Sequence, residues 1–297
     1  MKKLLRILTV HSIKELLRYK SFLLLVFFLL FTDRILHHYL PTPISVSEFF
    51  KHYEFGEKIV AFIFTHLPKI LIERVFTVQI AGIALVLFAL KQVISLWPTS
   101  DMRHMHRNER GRFGIFGALT ALRWHQVAWD ALAVATVCSL CLLWFSIAYL
   151  VGFWSWLKIK SWIFSIVLLA LMAASILPLA MAGFSFSSKL AVIQHGTFVT
   201  RFRLFLKLFT YWPLLWTSWS FFIFRIMLEL IFVAIIPIGA MLYIKSFWLR
   251  ILVATVSATP IYSYLKMATF KFFLEIYADF DLVRAEYLQY YRNHEKM

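Results

Sequence analysis

The sequence predicts an all-α protein, a polytopic transmembrane helical bundle of about six spans with basic amphipathic helices at the membrane interface. Of 297 residues, 61% are hydrophobic and only 15% are charged, whereas soluble domains average about half apolar and about a quarter charged residues. One globular core of this length cannot bury so much apolar side chain. Helices follow as the spanning element, because a helix satisfies its own backbone hydrogen bonds in lipid.

The first 20 residues predict a basic amphipathic helix that lies along the membrane surface. Leu4, Leu8 and Leu16 share one helical stripe, and cationic residues such as Arg6 and Lys14 lie largely away from it. We therefore expect residues 1–20 to form a surface helix, residues 21–270 a transmembrane domain, and residues 271–297 a cytoplasmic amphipathic tail.

Six apolar segments have the length of a spanning helix, which is about 20 residues for a hydrocarbon core of about 30 Å. Very short connections join the last two segments and the third and fourth, so each pair is predicted to form an antiparallel hairpin. The apolar stretch 59–72 is broken by His66, Pro68 and Lys69 and is expected to be interfacial or re-entrant. The six expected spans are residues 21–40, 75–96, 127–156, 161–184, 221–244 and 248–270.

The distribution of Lys and Arg predicts the orientation of these spans. With the amino terminus inside, 21 of the 31 Lys and Arg residues fall in inner segments, nine in outer segments, and Arg225 inside a span. Cytoplasmic loops carry an excess of Lys and Arg. We expect a multi-pass protein of the cell (inner) membrane with both termini in the cytoplasm.

Arg225 and Glu229 are the sharpest intramembrane feature of the sequence. They lie four residues apart in the fifth expected span, so they can pair on one helix face. Ionisable groups inside a span are costly and usually face protein or water. The pair is predicted to line a substrate or proton pathway, or to be a structural pair near the inner interface. Asp130, at the start of the third span, is expected at that interface.

The polar loop after the second span is a second candidate site. Its arginines would attract phosphate, lipid headgroups or the acidic surface of a partner, and would repel a metal cation from its H-x-H pair. A solvated positive-inside loop is the simpler interpretation. The arginines are Arg103, Arg107, Arg110 and Arg112, and the other polar groups are Asp101, His104, His106 and Glu109.

Two further patterns occur within the spans. Cys138 and Cys141 form a C-x-x-C on one helix face, which fits either a thiol redox pair or two small apolar side chains in a packed helix. Pro178, Pro237 and Pro260 interrupt the fourth, fifth and sixth spans. Such prolines kink helices and occur both in transporters and in membrane helices with no transport role.

Residues 13–27 resemble the opening of the ABC-2-type export permeases, in which a basic amphipathic surface helix turns into the first of six spans. The matching stretch is IKELLRYKSFLLLVF. The resemblance covers only these residues. The long polar second connection departs from that family, so its mechanism is not carried over.

Together these patterns favour a non-enzymatic permease-like or scaffold subunit of a transport or envelope-assembly complex. We expect it to contact membrane lipids and anionic headgroups, and to work with a protein partner in the membrane or with a cytoplasmic ATPase. Neither cofactor nor metal is expected, and the net charge of +16 is not gathered into a segment long enough to bind nucleic acid. The alternatives are an enzyme acting on lipid or polyprenyl-phosphate headgroups, and a thiol redox protein.

Overall fold

The computed structural model describes residues 20–39, 64, 96, 99–100, 123–193, 196–231 and 243–295. These residues are helical apart from short turns and contain no strand, as the sequence predicts. The helices are α1 (Lys20–Tyr39), α2 (Trp124–Ile159), α3 (Trp162–Val192), α4 (Phe198–Thr210), α5 (Trp212–Glu229), α6 (Phe247–Ile276) and α7 (Asp281–Glu295).

Helices α2 and α3 form a tight hairpin, as predicted. Lys160 ends α2 in a left-handed conformation (φ 55°, ψ 18°), and its backbone N–H donates to the Trp156 carbonyl at 3.1 Å. The Ser161 hydroxyl then accepts from the backbone N–H of Phe164 at 3.4 Å and begins α3. A connection of only two residues therefore reverses the chain.

The hairpin helices are both long and apolar enough to cross a membrane, and they are the two described helices of that kind. Their outer faces carry large apolar side chains that no described residue covers. Contiguous apolar surface of this kind marks an interaction with lipid or with another protein, which favours membrane association. Among the most exposed of these side chains are Leu142, Leu150, Trp154 and Leu171, at 69%, 62%, 62% and 63%.

The other expected spans are described only in part. The apolar section of α1 is short, Phe22–Thr32. Helix α5 begins at Trp212, well before the expected start of the fifth span, and α6 continues to Ile276. The surface helix 1–20, the interfacial stretch 59–72 and the second span 75–96 lie outside the described residues, apart from Lys20, Phe64 and Leu96.

The apolar core lies where the end of α3 meets the start of α2, the middle of α5 and the end of α6, with α4 and α1 packed around it. Phe186 of α3 is fully buried and is central to it. Its ring centre lies 5.7 Å from that of Phe222, 5.4 Å from that of Phe273 and 5.7 Å from that of Tyr277. These contacts hold α3, α5 and α6 in register at the depth of the polar residues described below.

Gly183 allows α2, α3 and α4 to approach closely. A β carbon built on Gly183 would lie 2.6 Å from Val137 Cγ2 and 3.3 Å from Phe209 Cζ. The first distance is shorter than van der Waals contact allows. The absence of a side chain at this position therefore sets the spacing between the three helices.

Two indole groups join α3 to its neighbours near Pro178. Trp144 Nε1 of α2 donates to the Met172 carbonyl at 2.8 Å, and Trp219 Nε1 of α5 donates to the Ser175 carbonyl at 3.1 Å. Helix α3 continues through Pro178, as α6 continues through Pro260. Pro237 lies outside the described residues.

The carboxyl-terminal segment packs back on the bundle. A turn at residues 277–280 joins α6 to α7, and Val283 of α7 is fully buried in the core. Lys207 of α4 places Nζ 4.6 Å from the centre of the Phe280 ring. The α4 helix thus contacts the turn after α6, and residues 271–276 belong to α6.

Candidate functional site

Arg225 lies in the interior of the protein on α5, with only 6% of its surface exposed. Its Nε donates to Glu229 Oε1 at 2.7 Å, so the structure forms the pair that the i, i+4 spacing allows. Glu229 is partly buried, with 21% of its side chain exposed. A charged hydrogen bond of this length and burial is much stronger than a surface ion pair.

The other end of the guanidinium group reaches two further helices. Arg225 Nη1 donates to Ser185 Oγ of α3 at 3.1 Å and to Thr269 Oγ1 of α6 at 2.9 Å. The Thr269 hydroxyl gives its own proton to the Leu265 carbonyl at 2.6 Å, which leaves its lone pairs free to accept. One side chain therefore ties together α3, α5 and α6.

Lys189, one turn further along α3, is a second buried cation. It is 4% exposed, and its Nζ donates to the main-chain carbonyl of Ser185 at 2.7 Å. Ser185 thus serves both cations, one through its hydroxyl and one through its carbonyl. Lys189 also lies within electrostatic range of Arg225 and of Lys266 on α6.

Asp130 of α2 faces the same interior and is 1% exposed. It lies beside Ser187 and within electrostatic range of Lys189 and Lys266. The Ser187 hydroxyl donates instead to the Phe184 carbonyl at 3.1 Å. Both carboxylate oxygens are therefore left without a hydrogen bond from the described residues. The expectation that Asp130 lies near the inner membrane interface stays a prediction, and the structure adds that packed helices enclose its side chain.

We refer to Asp130, Lys189, Arg225, Glu229 and Lys266 as the charge cluster. It contains three cationic and two acidic side chains, contributed by α2, α3, α5 and α6. Arg225 has Nε and Nη1 engaged, whereas the Asp130 carboxylate has free lone pairs. The arrangement can hold a polar or charged group at Asp130 while Arg225 keeps the helices in place. Within the described ranges, no group of three His, Cys, Asp or Glu could hold a metal ion.

The two cysteines are not among the side chains of the charge cluster. Cys138 and Cys141 are free thiols, each partly exposed on α2, and Cys141 lines an apolar groove described below. The loop that holds Arg103, Arg107, Arg110 and Arg112 lies outside the described residues, as do Asp101, His104, His106 and Glu109.

Sequence reasoning missed Ser185 and Thr269 as partners of Arg225, and it missed Lys189 as a buried neighbour of the same serine. The sequence places Lys189 only among the positive charges of the inner segments. A signal was present in the hydroxyl residues along the inner face of α6, since Thr255, Thr259, Ser263 and Thr269 are all buried. Hydroxyl groups inside apolar helices commonly bind polar side chains of neighbouring helices.

No family model matches the chain, and comparisons with curated proteins and with solved structures find no match either. The charge cluster and the apolar surface of the hairpin are therefore the observations on which a functional proposal can stand.

Proposed function

We propose that this chain is a multi-pass inner-membrane protein of about six spans with both termini in the cytoplasm. We further propose that it is a permease-like or scaffold subunit of a transport or envelope-assembly complex and acts with a partner protein. The exposed apolar faces of α2 and α3 support the membrane location. The excess of Lys and Arg in the inner segments supports the orientation.

The proposed role in transport or assembly rests on the charge cluster. Ionisable groups within membrane helices are expensive, and they usually mark substrate or ion pathways or proton relays. Here five such groups lie close together on four helices, three of them buried, and the buried carboxylate among them has free lone pairs. We assign the contact with a polar or charged substrate group to Asp130, and the fixed framework to Arg225 and Glu229.

The contact with the partner belongs, in this proposal, to the basic loop. Arg103, Arg107, Arg110 and Arg112 fall within ten consecutive residues. Guanidinium groups at this density bind phosphate oxygens and carboxylates, often in a bidentate manner. An acidic protein surface or anionic headgroups beside the membrane would both fit.

Replacing Asp130 with Asn in the chromosomal copy tests the role of the cluster. We expect the variant to fold and insert but to lose function in the cell, because a neutral amide cannot replace the carboxylate. Asp279→Asn is the matched control, since Asp279 is exposed in the turn after α6. Loss of function in both variants, or in neither, would contradict the assignment.

A pull-down in mild detergent tests the requirement for a partner. We expect a stoichiometric partner, such as an ATPase, to copurify with the wild-type chain and to be lost when the four loop arginines are changed to Gln. Transport by the purified chain alone in liposomes would contradict the proposed dependence.

Cysteine labelling tests the orientation. In a background carrying Cys138→Ser and Cys141→Ser, single cysteines replace Lys160 in the hairpin turn and Asp279 after α6. We expect a membrane-impermeant maleimide to label the first in intact cells and the second only after lysis. Labelling of both positions from the same side would refute the arrangement of spans.

A further inference from the structure

An apolar groove lies between α2 and α3, beside the end of α4. It encloses about 170 Å³ and is lined by residues that include Val137, Cys141, Trp144, Ile176, Ala180 and Phe209. An apolar cavity of roughly 150 Å³ is large enough to admit a molecule of the size of benzene. The groove can therefore hold a segment of an alkyl chain.

The groove is bounded at both ends by features of the sequence. At one end, Gly183 brings α3 against Val137 and Phe209. At the other, the Trp144 indole is bonded to the Met172 carbonyl at 2.8 Å. Between these two attachments α3 contains Pro178, which removes a backbone hydrogen bond and weakens the straight path of the helix. The two helices thus touch at both ends of the groove and leave space between.

The groove continues into the exposed apolar face of α2. Leu140, Leu143 and Ile147 line it and are 37%, 60% and 41% exposed. A molecule on that face can therefore enter from the side without passing a polar group. In a membrane, the molecules present at that face are the acyl chains of lipids.

We propose that the groove binds one acyl chain of a membrane phospholipid. This inference rests on the proposed membrane location of α2 and α3, because only that location places acyl chains beside the groove. The lining is apolar throughout, so the contact with the chain is nonpolar, and the headgroup stays outside the groove. The bound chain would fill the space between α2 and α3 and complete their packing.

Native mass spectrometry of the protein purified in mild detergent tests the proposal. We expect wild type to retain one phospholipid, identified by its mass. Cys141→Trp and Ile176→Trp fill the groove from opposite walls, and each should weaken phospholipid binding about tenfold in Kd, equivalent to about 1.4 kcal/mol of binding free energy. Leu142→Trp is the matched control, because Leu142 is 69% exposed and does not line the groove. Size-exclusion profiles identify any variant that fails to fold.

Photolabelling gives an answer that needs no variant. A phospholipid with a diazirine in its acyl chain should label the peptides around Cys141 and Ala180 in the wild-type protein. Any of four results would overturn the proposal. They are equal labelling along all of α2, retention of phospholipid in both filled variants, an isoprenoid adduct, and a dimer without lipid. Alkaline extraction of membranes distinguishes failure of the proposed membrane location from failure of the proposed lipid groove. A chain released from membranes refutes the membrane location, whereas a retained chain without an adduct refutes only the groove.

Discussion

Thr269 accepts a hydrogen bond from Arg225 at 2.9 Å, across 44 residues of sequence. Because Arg225 also binds Ser185 and Glu229, the bond to Thr269 closes a connection between α3, α5 and α6. Most of the surrounding contacts are between apolar groups, and such contacts set the distance between helices better than their relative orientation. The guanidinium group, with its planar set of donors, fixes that orientation.

Arg225→Leu should lower the free energy of unfolding by about 3 kcal/mol, since it leaves Glu229 without its cationic partner in a largely buried position. The double variant Arg225→Leu/Glu229→Leu should recover much of this loss, because no unpaired charge remains. Thermal unfolding in detergent measures both. Arg203→Leu, at an exposed position on α4, should change little. A double variant less stable than Arg225→Leu would contradict this account.

Gly183→Ala should destabilise the protein by about 1–3 kcal/mol, a typical cost of overpacking. The new methyl group would meet Val137 Cγ2 at 2.6 Å, and a β-branched side chain has few other rotamers to adopt. In an exposed helix, the same change would be favourable by about 1 kcal/mol. A second change, Val137→Ala, should restore stability.

Gly152→Ala is a useful comparison with Gly183→Ala. The added methyl group would lie nearest the end of the Phe64 ring, at 3.1 Å. This ring has more freedom to shift than a valine methyl group. We expect a smaller loss, measured in the same unfolding experiment. A stabilised Gly183→Ala protein would show that α2 and α3 do not approach closely at this point.

Trp219→Phe removes the indole N–H that binds the Ser175 carbonyl but keeps an aromatic ring. The expected cost is about 1 kcal/mol, with faster hydrogen exchange of the α3 amides near Pro178. Trp216→Phe is the control, because Trp216 is 54% exposed and stacks on Trp219 with ring centres 5.5 Å apart. Equal exchange rates in the two variants would argue against the α3–α5 bond.

Tyr277→Phe should leave stability unchanged or raise it by up to about 1 kcal/mol. The Tyr277 hydroxyl is buried without a hydrogen-bond partner among the described residues, and such a group carries a desolvation cost that phenylalanine avoids. Burial also raises the pKa of Tyr277. The phenol therefore stays neutral and forms no ion pair that could offset its desolvation cost. Chemical denaturation checks the sign, and a loss above about 1 kcal/mol would reveal an unseen partner for the hydroxyl.

Long apolar runs were enough to predict α2 and α3. Helix α2 spans Trp124–Ile159 against an expected 127–156, since the end of an apolar run and the end of its helix nearly coincide there. The carboxyl end of α3 was harder. We expected the span to stop at Phe184 because Ser185, Ser187, Ser188 and Lys189 follow, yet α3 continues to Val192. The side chains of Ser187, Ser188 and Lys189 donate to carbonyls of α3 itself, and Ser185 accepts from Arg225, so these groups do not require water.

The contacts within the charge cluster show a second limit of prediction from sequence. A spacing of four residues on one helix reveals Arg225 and Glu229, because helix geometry is local. The approach of Asp130 to Lys189 and Lys266 depends on how α2, α3 and α6 pack, and no local pattern encodes that. A charged residue near the end of an apolar run looks the same whether headgroups or other helices surround it.

The two-residue turn at Lys160 and Ser161 has a consequence for synthesis. As α3 emerges from the ribosome, α2 is already complete, and the short connection gives α3 no slack to wait in water while α2 moves into the bilayer alone. In the proposed membrane location, we therefore expect the two segments to enter the lipid as a pair. Lengthening this turn with a flexible insert should therefore slow or misdirect biogenesis even if the finished fold tolerates it.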